Sequence, residues 1–470
     1  MGSELASRMA DVASRLASLN ARLLWWGIAT AVVVAAFRLT SRRWLVVLSV
    51  VFALHGAVQW HDLATPQLGE FSGVAFARSD PVAKASRASG TSTGSAKSSS
   101  STSANTRSTV SLIVEVEGEN FRFVARGRAR NVLHGVRMGD ALLIDAQRTA
   151  YDTRRLRFVA GRHIQGELRN VTVHATATSM ALWHRAANRV HELIDRGSRT
   201  MPTNDAALVR GLVLGDESRQ PFRMTESFRD AGLGHLLAVS GQNVVLLLAA
   251  ILPLLRRLSP WSQLMAALGV VAMFALVTRL ESSVIRASVM AAVVQVGFVI
   301  GRDVAPLRAL AFTVITIVSM DPLATWSIGF VLSAAATFGL IVITPWFGKS
   351  IFAATTAAQL GVAPFVMLWF GSMPSVALLT NLLAVPIASF VMIAGPPLLA
   401  SAAFMPDALA ALVTFAIVVA VRLVWWVAEI GAWLAPPGWL NVVGWAAILT
   451  WAVRSIADEV RYVGHPRARL

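Results

Sequence analysis

The sequence predicts a polytopic α-helical membrane protein with about eleven transmembrane helices and one small, OB-like extracytoplasmic β-barrel inserted among them. Three observations point there. Of the 470 residues, 55% are hydrophobic and only 14% charged, where soluble domains run to about a quarter charged. Apolar runs of membrane-crossing length recur along the chain. One long polar stretch interrupts them with the two-residue alternation of strands.

The elements follow in order. Apolar runs at residues 23–37 and 44–60 read as an N-terminal transmembrane hairpin, 23–60. The first run leads into Arg38, Arg42 and Arg43 rather than a small-residue cleavage site, so removal as a signal peptide is not expected. Residues 61–109 read as a flexible Ser/Thr-rich linker, most clearly in "SRASGTSTGSAKSSSSTSANTRST" at 86–109. At 110 the texture changes. "VSLIVEVEGENFRFVARG" alternates around the turn-forming Gly118, Glu119 and Asn120, and "ALLIDA", "LRFVA" and "HIQGELR" follow closely. About five strands within 110–170 suggest an OB-like barrel, and a small sandwich fits the same pattern.

Residues 179–232 read as amphipathic interfacial helices. Met180, Trp183, Ala187, Val190 and Ile194 share one helical face, and helical patterns at 204–214 and 221–230 follow. The helical core, 233–456, holds nine apolar segments: 236–255, 261–277, 283–301, 305–320, 325–343, 350–370, 375–403, 408–434 and 439–456. The seventh contains Pro386, Pro396 and Pro397, so a broken or re-entrant helix is expected there. A basic tail, 457–470, closes the chain.

Basic residues set the orientation. Arg38, Arg42 and Arg43, then Arg256 and Arg257, Arg302, Lys349 and the tail fall on one set of loops, and Arg279 alone on the alternate set. The first set is expected in the cytosol and the barrel outside it. Arg8, Arg15 and Arg22 run counter to this phase.

The candidate interior site lies in "GLGHLLAVSGQN", residues 232–243, where the polar stretch gives way to the core. His235, Ser240, Gln242 and Asn243 flank Gly241, which lowers helix propensity and permits a break. A broken helix exposes backbone groups that hydrocarbon does not tolerate, so the cluster is expected to face an interior cavity. A glycine packed closely on a neighbouring helix is the alternative. Arg286, Gln359 and Asn381 add polar groups inside apolar spans. An intramembrane Arg costs roughly 2.5–3.5 kcal/mol on insertion scales, and Arg286 is near enough to its span's end to snorkel instead. In the barrel, 110–170 holds eleven Arg or Lys against seven acidic residues. Arg122, Arg126, Arg128 and Arg130 could line one strand face beside Phe121 and Phe123, whose rings either stack bases or fill the barrel core.

Several chemistries find no carrier. "PWFGKS" resembles the end of a P-loop, but Ile343 stands where the first glycine belongs. No zinc-hydrolase motif occurs among the nine histidines, and cysteine is absent. No catalysis, metal or cofactor is expected.

The residues then carry a resemblance. "LVLGDESRQPFRMTESFRDAGLGHLLAVSGQNV", 212–244, resembles the signature of the ComEC competence proteins, the inner-membrane DNA channels of natural transformation. Gly215, Asp216, Phe228, Arg229, Gly232, His235, Leu236, Ser240 and Gly241 match it. "RASVMA", with Arg286, Ala287 and Met290, and "TNLLAVPIASFV", around Asn381 and Pro386, resemble two further family segments. Many members have His where this chain has Asn243 and an apolar residue where it has Gln242. Larger members add a metallo-β-lactamase-like domain, absent from these 470 residues. The resemblance implies a multi-pass inner-membrane channel for single-stranded DNA. It also implies an extracytoplasmic DNA receptor, a cytosolic helicase-like ATPase and a separate nuclease as partners. A transporter of a small anionic or amphipathic solute, and a non-transporting membrane scaffold, remain the alternatives.

Overall fold

The computed structural model describes residues 42–85, 108–125, 132–133, 135–179, 181–237, 239–348, 350–436 and 438–463. The apolar run at 23–37, most of the Ser-rich stretch, Arg126, Arg128, Arg130, Lys349 and the last seven residues lie outside them. Helix α1, Arg42–Ala64, leads into a six-stranded sheet. Its strands are β1 (Gly69–Ala77), β2 (Val82–Ala85), β3 (Ser108–Val116), β4 (Glu119–Ala125), β5 (Ala141–Ala150) and β6 (Ile164–Ala177). They run in the order β1-β5-β6-β4-β3-β2. β1 also pairs with β3, Phe76 opposite Glu115 and Ala77 opposite Val114, which curls the sheet back on itself. All pairings are antiparallel except β4 with β6. The period-two alternation turns Leu112, Val114, Phe121, Phe123, Leu142 and Ile144 into one dry core.

The sheet therefore begins some forty residues earlier than the sequence suggests. β1 and β2 fall inside the stretch read as linker. The reason is side-chain size: in "GEFSGVAFA" the inward positions near the closure are Ala75 and Ala77, both buried, while Val74 and Phe76 face outward. Small residues suit the crowded seam where β1 meets two strands, and they carry little hydropathic signal. A short helix, α2 (Thr153–Val159), joins β5 to β6 and is capped by Asp152, whose carboxylate accepts from the Arg155 N–H at 3.0 Å.

Helices make up the rest. They are α3 (Leu182–Gly197), α4 (Thr203–Leu214), α5 (Phe222–Asp230), α6 (Gly241–Leu255), α7 (Pro260–Val277), α8 (Ser282–Val299), α9 (Pro306–Met320), α10 (Ile328–Val342), α11 (Ile351–Phe370), α12 (Ala377–Ala402), α13 (Asp407–Leu434) and α14 (Gly438–Val463). Each of the nine apolar core segments is helical, the first, 236–255, with a break ahead of Gly241. Five of them, α7, α8, α11, α12 and α13, are long and apolar enough to cross a membrane, and α6, α9 and α10 are shorter apolar helices. The expected break in the seventh segment does not occur: α12 runs unbroken through Pro386, Pro396 and Pro397. The prolines remove the N–H groups that would bond the Leu382, Met392 and Ile393 carbonyls, so neighbouring helices must hold the segment together. Packing against α3 and α13 holds it straight enough to stay one helix.

The expectation of interfacial helices across 179–232 holds poorly for α4. Ala207 through Leu214 are all buried in the main core with Phe228, Leu237, Val391 and Val424. α4 is apolar almost all round, and such a helix belongs inside. α3 is amphipathic, but its covered face is Ala187, His191 and Ile194, while Trp183 is exposed. His191 donates through Nε2 to the Val277 carbonyl at 2.8 Å.

The sheet sits on one end of the helices. Asp80 accepts from Arg279 Nε at 2.9 Å and from Nη2 at 3.0 Å. His163 bonds Asp321 at 3.0 Å. Trp60 of α1 lies 5.3 Å, centroid to centroid, from Trp326. The loops joining α7 to α8 and α9 to α10 thus face the sheet. Arg256 and Arg257, at the other end of α7, and Arg302, beyond the far end of α8, face away.

Candidate functional site

The chain between α4 and α6 builds the candidate site. After α5 it makes one helical turn, Gly234–Leu237, and the helix does not continue into α6. The break expected at Gly241 falls just ahead of it. Ser240 is extended, φ −106° and ψ 161°, and Gly241 is the first residue of α6.

Three contacts hold this break. Gly215 ends α4 in the left-handed conformation, φ +73°, and a Cβ there would strike Val239 Cγ2. Ser283 Oγ, at the second residue of α8, donates to the Val239 carbonyl at 2.7 Å, satisfying a group that the missing helical turn leaves free. Gly241 packs on α8 so closely that a Cβ would lie 3.1 Å from Ala287 Cβ and 3.4 Å from the Ser283 carbonyl. The glycine serves close approach rather than an unusual φ.

Arg286 fills the space beside it. Its side chain is 5% exposed, and Nε donates to Ser333 Oγ of α10 at 2.9 Å. No carboxylate lies within ion-pair distance of it among the described residues. A guanidinium held by neutral hydroxyls stays an uncompensated cation. It stands at the start of α6, whose first N–H groups carry the helix's positive end. Both features favour an anion.

Asn243 belongs to the same cluster, buried, with Oδ1 accepting from Ser240 Oγ at 3.3 Å. The other candidates separate. Gln242 is exposed on the opposite side of α6 and donates to Ser389 Oγ of α12 at 3.1 Å. His235 is exposed on the helical turn. Gln359 and Asn381 are buried in α11 and α12, each with one polar atom unpartnered, Nε2 and Oδ1 respectively. No hydrogen bond among the described residues joins either to Arg286.

In the sheet, Phe121 and Phe123 are 0% and 1% exposed. They fill the core and present no face to a base, which corrects the stacking expectation. Arg122 alone of the four arginines is described, and it is half-buried on β4.

Sequence reasoning missed the serines. Ser283 and Ser333 are hydroxyls in largely apolar helices, where such groups often bond a neighbouring helix. It also missed an ionic chain between the sheet and the break. Arg137 bonds Asp195 at 3.1 Å, Arg210 bonds both Asp195 and, at 2.5 Å, Asp216, and Asp216 follows Gly215 directly. Burial alone would raise the Asp216 pKa, but the Arg210 guanidinium and the Ser218 donors outweigh it and hold the carboxyl down at about 2.

Residues 212–457 match the family model described as Competence protein. A 203-residue stretch is 25% identical to ComE operon protein 3 of Bacillus subtilis (strain 168), covering 42% of this chain and 26% of that protein. The match thus spans about a quarter of the relative's length. No solved structure matches.

Proposed function

Because the chain belongs to the competence protein family, we propose that it is a membrane channel that passes single-stranded DNA into the cell during natural transformation. One observation carries this reading. Arg286 is buried between α6, α8 and α10 with no carboxylate partner among the described residues, at the N-terminus of α6. A strand brings one negative charge per nucleotide, and hydrocarbon offers it no solvation. A fixed cation and the positive end of α6 supply part of that solvation without the paired carboxylate that would cancel them.

On this reading His235, Ser240, Gly241, Gln242, Asn243 and Arg286 border the strand's path, with Gln359 and Asn381 deeper in the bundle. The sheet domain is an OB-type barrel, a reading supported by the β1–β3 closure and the single parallel pairing of β4 with β6. The protein is a multi-pass inner-membrane protein of about eleven spans, with the sheet outside and the Arg256, Arg257 and Arg302 loops inside. The channel carries out no catalysis. An extracytoplasmic receptor delivers DNA, a cytosolic helicase-like ATPase pulls it, and a separate nuclease removes the complementary strand.

The test is a deletion strain given labelled DNA. Uptake into a nuclease-protected compartment should be lost and should return with the intact gene. Uptake at the wild-type level in the deletion strain would refute the proposal.

A further inference from the structure

A cavity of about 510 Å³, sharing no lining residue with the Arg286 cluster, lies between the start of α4 and the second half of α13. Thr203, Asn204, Asp205, Arg422, Trp425 and Trp426 line it. Asp205 is 2% exposed and accepts from Arg422 Nε at 2.8 Å. The Arg422 side chain is half exposed, and among the described residues its terminal nitrogens enter no hydrogen bond. The Trp425 indole N–H is buried and has no partner among the described residues. The lining therefore holds two donor groups that lack an acceptor among the described residues, the Arg422 terminal nitrogens and the Trp425 N–H, beside a carboxylate engaged through Oδ2. An occupant that suits it presents acceptor oxygens.

The surroundings identify the source of those oxygens. In α13, residues 408–421 carry no charged side chain, while the second half holds Arg422, Trp425, Trp426, Glu429 and Trp433. Tryptophans mixed with charges mark the level of lipid headgroups. Trp426 of the lining is exposed, as are Leu423 and Trp433 on the same helix, which is long and apolar enough to cross a membrane.

We propose that this cavity binds the phosphate of a membrane phospholipid. The terminal nitrogens of Arg422 and the indole N–H of Trp425 donate to the phosphate oxygens, while Asp205 fixes the guanidinium plane through Nε. Trp426 packs along the glycerol and upper acyl chain. The site is independent of the proposed DNA path and stands or falls without it.

The test uses the full-length protein purified in detergent. Phosphatidylglycerol is titrated in and retained lipid is counted by native mass spectrometry. Wild-type protein should retain one tightly held lipid, and Arg422→Gln should weaken its binding about tenfold, the scale of a lost charge-assisted hydrogen bond. Arg422→Gln leaves Asp205 buried and unpaired, so the double variant Asp205→Asn/Arg422→Gln, which keeps local charge balanced, should show the same loss. Trp425→Phe keeps the ring and removes the N–H, and should weaken binding several-fold. Unchanged retention in the double variant and in Trp425→Phe would overturn the proposal. Displacement of the lipid by inorganic phosphate at comparable concentration would overturn it too, because the occupant would then be a free anion.

Discussion

Arg286 Nη2 lies 2.5 Å from the point that a Cβ on residue 241 would occupy, so Gly241 and Arg286 share one small volume between α6 and α8. The relationship is mutual: the glycine makes room for the guanidinium, and the guanidinium fills what the glycine leaves. Gly241→Ala should displace Arg286 from Ser333, and overpacking of this kind costs about 1–3 kcal/mol. DNA uptake should fall in Gly241→Ala and further in Gly241→Leu. Asn243→Ala should be milder, because water can replace one amide. Uptake assays on strains matched for membrane abundance would read the order.

Asp216 predicts a dependence on acid. Its carboxyl is held at about 2, below the ordinary value near 3.9. A depressed carboxylate stabilises the fold above its unfolded pKa, and that contribution fades as pH falls through about 4 toward about 2. For a group this buried the shift corresponds to about 2–3 kcal/mol at neutral pH. Asp216→Asn should lower the unfolding temperature at pH 7, and its gap from wild type should narrow below pH 4. A gap that stays constant from pH 7 to pH 3 would contradict the assignment.

Asp80 and Arg279 join the sheet to the helices through two bonds, with side chains only 16% and 12% exposed. Asp80 also accepts from the Met138 N–H at 2.9 Å. Removing either partner should destabilise the full chain by about 1–3 kcal/mol. The double variant should lose less than the sum, as a double-mutant cycle on thermal unfolding would show. Strict additivity would mean that the pair does not hold the domains together.

Phe121 is a core residue, so Phe121→Ala should cost about 3–5 kcal/mol. Loss of sheet signal on heating should shift down in this variant, whatever DNA is present. A variant that folds like wild type and only loses DNA binding would restore the stacking role.

Much of this was legible in the sequence. The nine apolar segments of the core are all helical, because their length and hydropathy leave few other forms. The polar cluster at 240–243 correctly marked a helix break, since Ser, Gly, Gln and Asn together are poor intramembrane helix formers. What escaped was geometry set by distant partners. Gly241 permits a hinge and permits close approach equally, and only Arg286, forty-five residues on, decides between them. Phe121 and Arg122 alternate faces whatever the register, and the strand pairing alone says which face is inside. Arg210 is a single charge in an apolar helix, and its partners Asp195 and Asp216 come from before and after that helix.

Arg286 also offers the sharpest measurement, which is uptake of labelled DNA per unit of membrane-inserted protein. Arg286→Lys keeps the charge and Arg286→Ala removes it. If the cation serves passing phosphates, Arg286→Ala should lose roughly tenfold or more of that ratio, the effect of one buried charge interaction, while Arg286→Lys retains a substantial part of it. Membrane abundance should remain near wild type in both. Normal uptake in Arg286→Ala, or a loss that merely follows falling abundance in both variants, would mean that Arg286 is packing and that the strand passes elsewhere.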